Sequence, residues 1–174
     1  TLPFDLPPLA APSAIAVPLL AVAAALVGLF GARRTARVRT VDVPIDGLHA
    51  TLHGFTIVQI SDLHVGPTVQ GAYVRAVVER INTLDADAVA ITGDLVDGRV
   101  QDLAGDVASL ADLRSRHGSF FVTGNHEYYS GAAEWIALLR SLGLTVLLDE
   151  HVVLDHGGAQ LVLAGVADFS ARHF

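Results

Sequence analysis

Apolar residues run from Leu6 to Ala32 without a single charge. Within that run AIAVPLLAVAAALVGLFGA (14–32) has the length of a membrane-spanning helix, which needs roughly 20 apolar residues. Pro18 stands near its start, where a helix tolerates proline. Beyond residue 39 the pattern changes to short apolar runs separated by amphipathic stretches. RTVDVPI (39–45) alternates like a short strand that opens the globular part, and DGLHATLHG (46–54) reads as a loop. FTIVQISD (55–62), ADAVAITGD (86–94) and SFFVTGN (119–125) predict three strands, the first two buried. Between the first two, Ala72, Val74, Val77, Val78, Ile81 and Leu84 form one helical stripe within 69–84. DLAGDVASLADLRSRHG (102–118) predicts an amphipathic helix stopped by Gly118, and AAEWIALLRSLG (132–143) another ending at Gly143. Residues 144–166 read as strands around a Gly-Gly turn at 157–158. Strands that alternate with helices in this way predict an α/β domain with a largely parallel sheet.

Composition sharpens the first element. The chain of 174 residues is 52% hydrophobic, and the excess sits in the N-terminal run. The flank that follows, RRTARVR (33–39), carries Arg33, Arg34, Arg37 and Arg39, whereas only Asp5 precedes the run. The positive-inside rule then predicts a span in the inner or plasma membrane with the rest of the chain in the cytoplasm. A signal peptide has its charges before the apolar stretch, not after it. The expected organisation is a proline-rich lead-in (1–13), a transmembrane helix (14–32), a basic juxtamembrane segment (33–39) and a globular part (40–174). The net charge of −7 argues against a broad nucleic-acid-binding surface. Without cysteine, disulfides and thiolate metal sites are excluded.

Ligands in parallel sheets gather beyond the carboxyl ends of the strands. Here the first strand ends in SDLH (Asp62, His64), the second in GDLVD (Asp94, Asp97) and the third in GNHE (Asn125, His126, Glu127). A lone Asp after a strand is ordinarily a turn residue or a cap. Three such clusters at successive strand ends predict one shared site. Its oxygen and imidazole donors suit divalent Mn, Fe, Zn or Co.

The order D-x-H, G-D-x-x-D, G-N-H-E resembles that of the calcineurin-like metallophosphoesterases, and IVQISDLHVGP, DAVAITGDLVDG and FFVTGNHEYYSG look like their membrane-associated bacterial branch. The resemblance covers roughly residues 40–170. It implies the layered αββα sandwich of that family and a two-metal phosphoester hydrolase. By this resemblance Asp62 and His64 bind one divalent metal, Asp94 bridges two, and Asn125 binds the second. His126 is implied as general acid for the leaving group, and Asp97 as the residue that orients it. Two metals about 3.5–4 Å apart can clamp a phosphoryl group and acidify a bridging water.

The family also carries two later histidine motifs, the last of them G-H-x-H. His151, His156 and His173 match neither and are expected to be exposed loop histidines. The chain, which starts at Thr1, is therefore expected to be an N-terminal fragment with an incomplete sandwich. The expected substrate is a phosphoester, with lipid-linked or nucleotide-sugar-lipid species suggested by the anchor. The alternative expectation is a non-catalytic, membrane-anchored module that binds metal or phosphate. Trp135 fits a substrate mouth or the core equally well.

Overall fold

A computed structural model describes residues 10–32 and 35–173. The chain divides after Ala36 into two units. In the first, α1 (Ala10–Ala32) is one continuous helix through Pro18. Its stretch Ser13–Gly31 has a mean hydropathy of 2.4 and no buried residue, so it is long and apolar enough to cross a membrane. Arg33 and Arg34 lie outside the described residues.

The second unit begins with an exposed, irregular stretch. The strand expected over 39–45 does not form: Val41, Val43 and Ile45 alternate, yet all three are exposed and pair with nothing in either sheet. A strand of this pattern needs an edge to join, and its propensity alone does not hold it.

Four parallel strands follow in the order β1 (Ile57–Ile60), β2 (Ala88–Thr92), β3 (Ser119–Val122) and β4 (Thr145–Val146). Adjacent strands are joined through helices, as parallel pairing requires. The connecting helices are α2 (Gly71–Asn82), α3 (Val100–Val107), α4 (Asn125–Ser130) and α5 (Ala132–Ser141). β1 is less buried than its sequence suggests, with Ile57 46% exposed, because it lies at the sheet edge. The helix expected over 102–118 stops at Val107 and tightens into a 3-10 turn over Ala108–Asp112. Val107, Leu110 and Leu113 are spaced by three, so the tighter winding keeps them on one face.

The period-2 alternation of β2 and β3 separates two cores. Val89, Ile91 and Phe121 face α2, α3 and α5, where they meet Val74, Val78, Leu103, Trp135 and Leu139. Ala88 and Phe120 face the other way. There an antiparallel hairpin, β5 (Glu150–His156) and β6 (Ala159–Gly165), turns at Gly157-Gly158 and packs Leu154, Leu161 and Leu163 against them. The result is a layer of helices, a parallel sheet and a second, antiparallel sheet, an incomplete version of the expected sandwich.

Candidate metal centre

The segments after β1 and β2 run on side by side once regular pairing has ended. Asp62 N–H donates to Gly93 O (3.2 Å), His64 N–H to Asp94 O (3.1 Å) and Val65 N–H to Leu95 O (2.8 Å). This continued ladder holds Asp62, His64 and Asp94 in register above the sheet. Their backbones are unusual: φ is +56° at Asp62, +48° at His64 and +50° at Asp94. Non-glycine residues pay for left-handed geometry, and such residues cluster where a site requires a particular side-chain direction. Gly93 and Gly124 make possible the close approach of the segments that follow β2 and β3. A Cβ on Gly93 would overlap the Gly124 backbone, and one on Gly124 would strike the Asp94 carboxylate.

The six residues singled out by sequence meet in one cluster. Donor atoms of Asp62, His64 and Asp94 all lie within 4.8 Å of one another. Asp94 Oδ1 also accepts the backbone N–H of His126 at 3.0 Å. The Asn125 amide lies against the same carboxylate, and with its nitrogen inward it donates to both Asp94 oxygens at 3.2 Å. With its oxygen inward, as ligation would require, three oxygens converge where a bound cation would satisfy them. The donor set, carboxylates, an imidazole and an amide oxygen, thus fits a hard or borderline divalent ion.

Asp97 has a wider reach than its expected role. Its Oδ1 contacts Nδ1 of His126 at 2.6 Å and Nδ1 of His64 at 2.8 Å. The two rings stand edge to face, 4.5 Å apart. With both Nδ1 atoms engaged, each histidine presents its Nε2, and that of His64 lies 4.0 Å from Asp62 Oδ1. Burial pushes the Asp97 carboxyl up, but hydrogen bonds and charge from the two histidines outweigh it and leave its pKa below the usual carboxylate value. The hydrogen bond to Asp97 raises the pKa of His64 against the effect of burial, and the charges of Asp97, Asp94 and Asp62 add to it.

One residue of the third cluster, Glu127, has a supporting role that its sequence did not disclose. Glu127 is fully buried, and its carboxylate accepts four backbone N–H groups: Gly124 (2.7 Å), Leu95 (2.8 Å), Asp94 (3.0 Å) and Val96 (3.3 Å). Burial raises its pKa, and those four donors pull it back toward the charged form. Its place at the third position of α4, reaching back to the N-terminal N–H, is the one local signal. Trp135 belongs to the core: it is fully buried and donates its ring N–H to Gly98 O at 2.9 Å. Tyr129, by contrast, is 65% exposed and lies beside the His126 ring.

His151 and His173 are exposed, as expected, but His151 lies within β5 rather than in a loop. His156 is not: its side chain is only 13% exposed and faces Asp87 and His117. The hairpin turn folds it back under the parallel sheet, which its place in a polar DHGG turn gave no reason to expect.

Comparison with known proteins agrees with this geometry. Residues 55–170 match the calcineurin-like phosphoesterase family. The chain is 42% identical over 154 residues to a transmembrane protein with metallophosphoesterase domain from Bos taurus, covering 84% of this chain and 35% of that protein. Over 80 residues it is 38% identical to the UDP-2,3-diacylglucosamine pyrophosphatase LpxG of Chlamydia trachomatis, covering 45% of this chain and 24% of the other. Among solved structures, the Pseudomonas putida nuclease MPE is similar with a TM-score of 0.40 and 25% identity, over 59% of this chain and 52% of that one. The chain spans 30–35% of the length of the first curated relatives it matches. A family match over most of the globular unit, with all three strand-end clusters gathered at one place, means that this chain belongs to the calcineurin-like phosphoesterases.

Proposed function

We propose that the chain contributes the metal-binding and leaving-group face of a phosphoester hydrolase held at a membrane by α1. The observation that carries this reading is the Asp94 carboxylate. It stands between Asp62 and His64 on one side and Asn125 and His126 on the other, beyond three adjacent parallel strands. Asp62, His64 and Asp94 would hold one divalent cation, and Asp94 with Asn125 a second. Bound cations supply Lewis-acid charge at the phosphoryl oxygens and acidify water. The chain's own residues position and move protons. Asp97 fixes the ring of His126 through Nδ1 and turns Nε2 toward a leaving oxygen, to which it can deliver a proton. Tyr129 offers an aromatic wall beside that ring.

His126→Gln tests the proton-delivery role. A positioned acid contributes about 10²–10⁴-fold when the leaving group needs protonation. We expect a loss in that range for an alkyl phosphodiester, and one of only about tenfold for bis-(p-nitrophenyl) phosphate, whose phenolate departs unaided. Equal losses on the two substrates would remove His126 from proton transfer.

The anchor and its orientation belong to the same reading. The bovine relative is named a transmembrane protein, and the arginines after α1 favour, by the positive-inside rule, a globular unit on the cytoplasmic side. The chain has no cysteine, so exposed Ala133→Cys gives a single label site. A membrane-impermeant maleimide should react only after cells are opened; reaction in intact cells reverses the orientation. Similarity to LpxG favours a pyrophosphate or phosphoester on a nucleotide-sugar lipid as substrate, which a membrane-held enzyme can meet at the bilayer surface.

A further inference from the structure

At the other end of the parallel sheet, a strand's length away from Asp94, three side chains meet that the proposed reaction does not use. Asp87 immediately precedes β2, His117 lies in the turn before β3, and His156 ends β5. Their placement is over-determined by the backbone. His117 N–H donates to Asp87 O at 2.8 Å, and Arg116 N–H to Ala86 O at 3.1 Å. Asp87 Oδ2 accepts Thr56 N–H at 2.8 Å, which leaves Oδ1 turned to the histidines. Thr51 donates its hydroxyl to His156 O at 3.2 Å and pins the hairpin turn. Phe55 stacks on His117 and meets His156 edge-on, closing one side of the cluster.

The donor atoms face inward. His117 Nε2 and His156 Nδ1 are 3.0 Å apart, and His156 Nδ1 is 3.6 Å from Asp87 Oδ1. All three lie within 4.8 Å of one another. With the proton on His117 Nε2, the contact between the rings is satisfied and the Asp87 carboxylate is left facing the His156 lone pair. A cation satisfies all three. Zinc binds imidazole nitrogen at about 2.0–2.1 Å, so tetrahedral ligands stand about 3.3 Å apart, and the two short separations bracket that value. Two imidazoles and one carboxylate are also a common zinc donor set.

We infer that Asp87, His117 and His156 form a second divalent transition-metal site, suited to zinc, that ties the β5–β6 hairpin to the amino end of the parallel sheet. Two of its ligands sit on the parallel sheet and one on the hairpin, so the ion cross-links the two layers and leaves its fourth position to water.

The test uses the full chain in detergent, with His64→Ala and Asp94→Asn introduced to remove competition from the site at the carboxyl end. Zinc is titrated by calorimetry and counted after dialysis. The expected result is one zinc per chain and a higher melting temperature with zinc than with chelator. His156→Ala and, separately, Asp87→Asn should each weaken zinc binding by about 100-fold or more, at least the cost of losing an outer partner of a metal ligand. Asp87→Asn keeps an oxygen for Thr56 N–H and carries the test if His156→Ala does not fold. Absence of retained zinc in the background protein would overturn the inference, and so would zinc binding that both substitutions leave unchanged.

Discussion

Asp94→Asn is expected to lower metal-dependent hydrolysis of bis-(p-nitrophenyl) phosphate by about a thousandfold, equivalent to roughly 4 kcal/mol of barrier. The residue touches both halves of the cluster with its carboxylate. Asparagine preserves nearly all of its structural work. It tolerates a φ of +50°, and its side-chain oxygen can still accept the N–H of His126. What it removes is the negative charge, and a neutral bridge holds two cations far less well than a carboxylate. The loss should therefore appear with an unchanged melting temperature and a reduced metal content. The measurement is kcat with manganese beside metal analysis, on the protein encoded by the full reading frame. Activity within threefold of the parent would place the chemistry elsewhere.

Glu127→Ala should act in the opposite way, through the fold. Four backbone N–H groups lose their common acceptor in a place that solvent does not reach. Each buried unpaired donor costs about 1–3 kcal/mol, and relaxation will recover part of the sum. A net destabilisation of about 4 kcal/mol is expected, a large share of the stability of a domain this size. Glu127→Gln keeps one acceptor oxygen but turns an amide N–H₂ toward donors, and should cost about 2 kcal/mol. Urea unfolding followed by tryptophan fluorescence reads both, since Trp135 is the sole tryptophan and is buried in the same unit. If Glu127→Ala unfolds at the same urea concentration as the parent, the four bonds are replaceable and Glu127 is not a keystone.

These two residues show where sequence was informative. Asp94 stands at the end of an apolar run beside a glycine, so its strand, its turn and its chemistry were all readable within six residues. Asp62, His64, Asn125 and His126 were legible for the same reason, and parallel neighbours brought them together without further information. Glu127 was recognised only as part of a motif. Three of its four partners are backbone groups more than thirty positions earlier, and no side-chain pattern encodes them. Asp87, His117 and His156 are scattered along the chain at the ends of different strands, and their meeting depends on the hairpin packing across the sheet. The misread strand over 39–45 fails differently. Alternation reports that a segment could pair, not that an edge is there to receive it.

The single oxygen of Asp97 that serves both histidines has a consequence for anyone who would re-engineer this scaffold. Under the proposed reading, one ring retains the cation and the other releases the product alcohol, yet the two share one anchor. Leaving-group preference and cofactor retention are thus two dials on one spindle. A library that varies position 97 to accept new substrates will change the metal demand of every clone, and variants will need to be screened across metal concentrations rather than at one.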